Sequence, residues 1–213
     1  MNLNRHLELV GKHAPISPSK YNLWMMDDDA EFEKRFAMSY AQELGTQLHN
    51  EARKRIEHKR RLNNQDKRSI IVNILDAGIP EKVLGYFPFN DMYDNLCTYV
   101  NDAISFNMVP ECGIWYCEMC FGTADALVYD EQKQFLRIHD LKTGVTVAKM
   151  EQLHAYAALF FLENRFIRPG EVKTELRIYQ NNDILTDEPS ADFIVEIMEK
   201  LKHRLDIANK MKG

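Results

Sequence analysis

The chain has no apolar run long enough to cross a bilayer. Its longest strongly apolar stretch, Ala155 to Leu162, falls far short of the roughly 20 residues a membrane helix needs. No basic segment followed by an apolar run opens it either. No membrane partner is therefore expected, and a cytoplasmic location is. An excess of basic charge is also missing: 27 Lys and Arg stand against 32 Asp and Glu, a formal net charge of -5. That balance excludes a protein that coats nucleic acid by charge alone. There are no internal repeats, no low-complexity segment and no Gly-x-x-x-x-Gly-Lys phosphate loop, so the chain carries no nucleotide-driven motor of that type. What remains is 213 residues, 45% apolar and 28% charged, the balance of one ordinary globular domain over 1–213. A chain of this size buries roughly 70% of its unfolded surface and needs no disulfide staples.

Cysteine is confined to one stretch, at Cys97, Cys112, Cys117 and Cys120. The C-x4-C-x2-C spacing with Cys97 upstream would suit a zinc or iron–sulfur centre. On a regular strand, however, Cys112 and Cys120 share one face and Cys117 takes the other, which scatters the ligands. Reduced thiols are the expected state.

Along the chain, Ser17 followed by Pro18 starts a first helical segment, and the acidic cluster Asp27 to Asp29 follows. From about Ala30 to Arg61 the pattern predicts one long helix, with Leu44, Leu48, Ala52 and Ile56 forming an apolar stripe at spacing four. Its end is basic. Residues 53 to 68 hold eight Lys and Arg against Glu57 and Asp66, a local net of +6. Residues 69–110 read as helical and loop-rich, with Met92, Leu96, Val100 and Ala103 at helical spacing. After Pro110 the pattern predicts antiparallel strands over Gly113 to Phe121, Ala124 to Tyr129 and Phe135 to Asp140, divided at Gly122 and at Asp130 to Lys133. A helix from about Thr146 to Asn164 and a strand from Thr174 to Gln180 come next. Ser190 then caps an amphipathic helix with Phe193, Ile197, Leu201, Leu205 and Ala208 on one face. The order helix, three strands, helix, strand defines an α/β class with additional helices at both ends.

The chemistry concentrates around two strands. Asp140 and Lys142, at i and i+2, point to the same side, and the neighbouring strand can bring Asp125 to them. Two converging carboxylates repel unless a divalent cation relieves them, and hard oxygen ligands select Mg²⁺ or Mn²⁺. A lysine beside such a cation can orient or deprotonate water. Gln152 and Tyr156 share a helix face, and His49 borders the buried stripe of the long helix. Taken singly, an Asp-x-Lys pair is more often a surface ion pair and a lone histidine more often a core residue.

Taken in order, these motifs resemble the PD-(D/E)XK nuclease superfamily, in particular its RecB-like branch, which includes phage-encoded exonucleases and CRISPR-adaptation nucleases. Gly45-Thr46-Gln47-Leu48-His49 is similar to that branch's Gly-Thr-x-x-His motif, and Phe121-Gly122-Thr123-Ala124-Asp125 to its Gly-x-x-Asp turn. Asp140-Leu141-Lys142-Thr143-Gly144 resembles the Asp-x-Lys-Thr-Gly signature, and Gln152-Leu153-His154-Ala155-Tyr156 the Gln-x-x-x-Tyr motif. The resemblance implies a restriction-endonuclease-like core with residues 62–110 as a helical insertion. It implies His49, Asp125, Asp140 and the backbone carbonyl of Leu141 as ligands of Mg²⁺ or Mn²⁺, with Lys142 activating water and Gln152 and Tyr156 positioning the site. The implied activity is metal-dependent DNA hydrolysis, as an exonuclease processing ends in phage-type recombination or repair. Its partners would be DNA and a recombination or annealing protein, in the cytoplasm of a bacterial host, and oligomers are compatible with it. Two other readings stay open: a catalytically silent DNA-binding scaffold with the same fold, and a structure- or sequence-specific endonuclease. Branch members with an iron–sulfur cluster carry three cysteines after the Gln-x-x-x-Tyr helix; none follows Cys120 here, so no such cluster is expected. Arg53, Arg55, Arg60 and Arg61, in the basic run, are candidate phosphate contacts.

Overall fold

The computed structural model describes residues 6–12, 14, 16–144 and 146–212. Among these, the leading segment forms a short α1 (Tyr21–Trp24), and Asp28 caps α2 (Asp29–Met38) by accepting from the amides of Ala30 and Glu31 at 2.9 and 3.2 Å. The single long helix expected over 30–61 is two helices. After α2 the chain breaks at Ser39 and Tyr40, and α3 runs over Ala41–Glu57. The Ser39 hydroxyl returns to the Phe36 carbonyl at 2.6 Å while the Ser39 and Tyr40 amides make i to i−3 bonds, so the helix tightens and restarts. Three further helices follow: α4 (Lys67–Asp76), α5 (Glu81–Leu84) and α6 (Phe89–Ser105).

The sheet is five-stranded and open, in the order β1 (Val109–Cys117), β2 (Cys120–Asp130), β3 (Phe135–Leu141), β4 (Lys173–Gln180) and β5 (Asp183–Asp187). All neighbours are antiparallel except β3 and β4, which run parallel because α7 (Glu151–Glu163) crosses between them. The architecture is therefore α/β, a mixed open sheet flanked by helices. The first strand boundary differs from expectation. Gly122 lies inside β2, opposite Ile114, and the chain reverses at Glu118 and Met119 with Cys117 facing Cys120. β5, absent from the sequence reading, pairs back onto β4 through Asn181 and Asn182, both at positive φ (54° and 57°) as a two-residue hairpin turn requires.

Two apolar layers sandwich the sheet. On one side Leu44, Leu48, Ala52 and Ile56 of α3 pack with Met92, Leu96, Val100 and Ala103 of α6, so both helical stripes are buried as their spacing implies. On the other, Leu153, Ala157 and Phe161 of α7 meet Ile114, Leu136, Ile138, Leu176 and Ile178. The terminal helix α8 (Ala191–Lys212) joins this second layer, with the Ser190 hydroxyl accepting from the Phe193 amide at 3.2 Å. Its core residue at the N-terminal end is Ile194; Phe193, expected on the apolar face, is exposed and stands edge-on to the His154 ring. A polar strap ties α6 to the sheet: the Tyr179 hydroxyl donates to Asp102 at 2.8 Å and Arg177 donates to the same carboxylate at 3.3 Å.

The helix expected from Thr146 begins only at Glu151. Gln180, at the end of β4, explains the delay. Its side-chain oxygen accepts from the Ala148 amide at 2.9 Å and its amide group donates to the carbonyls of Gly144 and Thr146, so these backbone groups are committed to β4 instead of a helical turn. Replacing Gln180 by leucine leaves all three unpartnered, and a loss of about 1–3 kcal/mol in denaturant unfolding is the expected result.

Candidate functional site

α3, β1, β2, β3 and α7 converge at one edge of the sheet. The pairing of β1 with β2 passes from Pro110 opposite Ala126 to Cys112 opposite Ala124, bracketing Glu111 and Asp125. At that point the strand turns over: Ala124 packs into the α7 layer, whereas Ala126, two residues on, packs into the α3 layer. Glu111 sits at φ 49°, a conformation rarely taken by a residue with a side chain. Together these irregularities place Glu111 and Asp125 beside α3, where His49 projects from the margin of the buried stripe. One ligand atom each from His49, Glu111 and Asp125 lies within 4.8 Å of the others. Nδ1 of His49 is 3.6 Å from Oδ2 of Asp125, which also accepts the Leu141 amide at 2.8 Å.

Burial pushes the Asp125 carboxyl up to about 6, with the nearby charges of Asp140 and Glu111 acting in the same direction and His49 and the Leu141 amide opposing it. It is a carboxylate held where its charge is disfavoured. Asp140, next on β3, is buried. Nζ of Lys142 lies 3.0 Å from both Asp140 oxygens and donates to Oδ1, leaving Oδ2 without a hydrogen bond. The same ammonium donates to Gln152 Oε1 at 3.0 Å, and the Gln152 amide reaches the Tyr156 hydroxyl at 3.5 Å. Lys142, Gln152 and Tyr156 thus form a chain from β3 to α7. The cluster of one imidazole and two carboxylates, from His49, Glu111 and Asp125, fits a hard divalent cation such as Mg²⁺ or Mn²⁺, whereas Asp140, expected as a ligand, stands outside that cluster with its carboxylate paired to the Lys142 ammonium.

Two glycines permit this convergence. A Cβ on Gly45 would lie 2.9 Å from Thr143 Oγ1, so the absence of a side chain lets the loop after β3 approach α3. A Cβ on Gly122 would lie 2.8 Å from the Tyr156 ring. Gly122→Ala therefore displaces Tyr156 and weakens its link to Gln152. The expected readout is a loss of the site's activity larger than the change in melting temperature.

The cleft in front of His49, Glu111 and Asp125 encloses about 480 Å³ and is also lined by Gly45, Thr46 and Arg53. A larger hollow of about 730 Å³ lies elsewhere, between the end of α6 and the β2–β3 turn, and contains none of these residues. The four candidate arginines separate. Arg53 lines the cleft, with Glu57 3.9 Å away, and Arg60 borders a neighbouring hollow beside Lys54 and His58. Arg55 is bound to Glu51 and Asp66 at 2.7 and 3.0 Å, and Arg61 donates to the Asn101 carbonyl and Ser105 hydroxyl at 3.2 and 2.8 Å. The last two hold the chain between α3 and α6 in place. The cysteines divide between the layers, Cys97 packing on the α3 side and Cys112 and Cys120 on the α7 side, all as free thiols.

Glu111 escapes sequence reasoning because nothing local marks it; its relation to Asp125 exists only through strand pairing. No family model, curated protein or solved structure matches the chain.

Proposed function

We propose that the chain is a metal-dependent DNA nuclease whose α3, β1–β3, α7 and β4 form a restriction-endonuclease-like core of the RecB-like type, with α4 to α6 as its helical insertion. The observation that carries this reading is the placement of Lys142, bonded to both Asp140 and Gln152, beside the cluster of His49, Glu111 and Asp125. A divalent cation bound there supplies a Lewis acid for a phosphoryl oxygen and makes water more acidic. His49, Asp125, Asp140 and the Leu141 carbonyl would hold it, with Glu111 as a further carboxylate.

The remaining work falls to the chain's own groups. An ammonium has three N–H donors, and two of those on Lys142 are committed to Asp140 and Gln152, so one remains to orient an attacking water or steady charge on the phosphoryl oxygens. Gln152 and Tyr156 fix the direction of that donor. Burial of Asp140 keeps bulk water from competing for its carboxylate, and Arg53 at the cleft wall offers a cation for a neighbouring phosphate. The reading favours end processing as an exonuclease in phage-type recombination or repair, alongside an annealing protein.

Digestion of end-labelled linear, nicked and circular DNA with Mg²⁺, Mn²⁺ or Ca²⁺ tests it. Release of label from linear DNA with Mg²⁺ or Mn²⁺, abolished by chelation, is the expected result. No cleavage of any form with any of the three ions would refute the reading.

A further inference from the structure

β1 and β2 extend beyond the cation cluster as a hairpin whose two faces have opposite characters. Cys112, Ile114, Tyr116, Cys120 and Ala124 pack into the α7 layer, and Gly122 supports the Tyr156 ring. Strand alternation therefore turns Gly113, Trp115, Phe121 and Thr123 to the other side, the side on which Asp125 meets His49. Every one of these four is exposed, as is Glu111. Trp115 and Phe121 are direct partners in the ladder, 55% and 66% exposed, so two aromatic side chains occupy facing positions of the hairpin in solvent. On the described hairpin, Gly113, where an added Cβ would meet nothing within 4 Å, and Thr123 lie between them and Asp125. The face is an open track from the cluster to the aromatic pair.

Continuity of this paired aromatic patch with the carboxylate cluster selects its occupant. Asp125 is four residues on from Phe121 along the strand, about 14 Å at 3.4 Å per residue. That is the span of about four stacked nucleotides at 3.4 Å each. We propose that Trp115 and Phe121 are a stacking platform for unpaired bases of the DNA strand whose phosphate lies at the His49, Glu111 and Asp125 cluster, which makes single-stranded ends the preferred substrate. The proposal rests on the nuclease reading and adds the strand form to it. Stacking suits a sequence-tolerant nuclease because every base offers a ring face, whereas the edges that distinguish bases need hydrogen-bonding side chains. Among the described residues of the hairpin, Thr123 is the one side chain besides Glu111 that faces this stretch between Asp125 and the aromatic pair.

The experiment is binding of a 16-nucleotide oligothymidylate in Ca²⁺, followed by tryptophan fluorescence in a Trp24→Phe background so that Trp115 alone reports. Quenching on binding is expected. Trp115→Leu with Phe121→Leu should weaken affinity about 10- to 100-fold, from the known strength of base–aromatic stacking, with the salt dependence unchanged. Trp115→Phe should restore most of the affinity. In Mn²⁺ the double variant should show a raised KM with kcat retained. A wild-type chain that cleaves DNA while the double variant binds and cleaves single strands as well as the wild type would overturn the platform and leave the nuclease reading standing. A change of oligomeric state in the double variant with unaltered DNA affinity would likewise overturn it, assigning the face to a second copy. Failure of the wild type both to cleave and to bind would overturn the two together.

Discussion

Asp125→Asn is expected to abolish metal-dependent hydrolysis while making the cation-free protein more stable. Asparagine keeps an oxygen to accept the Leu141 amide at 2.8 Å and removes only the charge. Asp125 is raised from the usual 3.8 to about 6, so between those values the folded chain binds a proton that the unfolded chain has released. Its contribution to stability is therefore full below about pH 4, falls as the pH rises through 6 and stays lost above it. A displacement of that size corresponds to at most about 3 kcal/mol. Thermal melts at pH 8 without divalent ions should show the variant several degrees above the wild type, since a chain of this length shifts about 2–4 °C per kcal/mol. The gap should close at pH 4. Adding Mn²⁺ at about 100 times its dissociation constant should raise the wild type by about 2.7 kcal/mol and leave the variant unmoved. Equal stability of the two at pH 8 would show that the carboxylate is not under the strain described.

Lys142→Ala is expected to lower the hydrolytic rate by about 10²–10⁴-fold, the usual worth of a positioned proton-transfer group. Its side chain is about one-third exposed, so removal opens no cavity in either apolar layer; the buried Asp140 carboxylate loses its ammonium partner, so the variant should fold with a lowered melting temperature. Cation binding should persist, because the His49, Glu111 and Asp125 cluster does not include the ammonium. Calorimetric titration with Mn²⁺ beside single-turnover cleavage separates the two effects. Lost cation binding together with lost activity would make Lys142 a structural support of the acidic cluster instead of a participant in the chemistry.

The helical layers were legible because spacing reports burial directly: Leu44, Leu48, Ala52 and Ile56 follow one another at four and all are buried. The same holds for Asp140 and Lys142, whose common side follows from strand alternation alone. Gly122 misled the placement of the turn. Its lack of a side chain serves the approach of Tyr156 within β2, while the true reversal at Glu118 and Met119 carries no turn residue. The hairpin into β5 did have a local signal, the pair Asn181 and Asn182, both able to adopt positive φ. Glu111 and Gln180 had none. One gains its role from strand pairing and the other from a loop more than thirty residues away, contacts that exist only after the sheet forms. The basic run shows a different limit, since composition does not say where each charge goes: Arg55 and Arg61 are bonded to neighbouring residues, and Arg53 lines the cleft.

The most direct measurement is the release of labelled nucleotides from linear DNA in Mn²⁺ by the wild type and by Asp140→Ala, with circular dichroism confirming that both are folded. Hydrolysis by the wild type and none by the variant is the result expected of a cation-centred site at the β2–β3 edge; equal hydrolysis by both would contradict it.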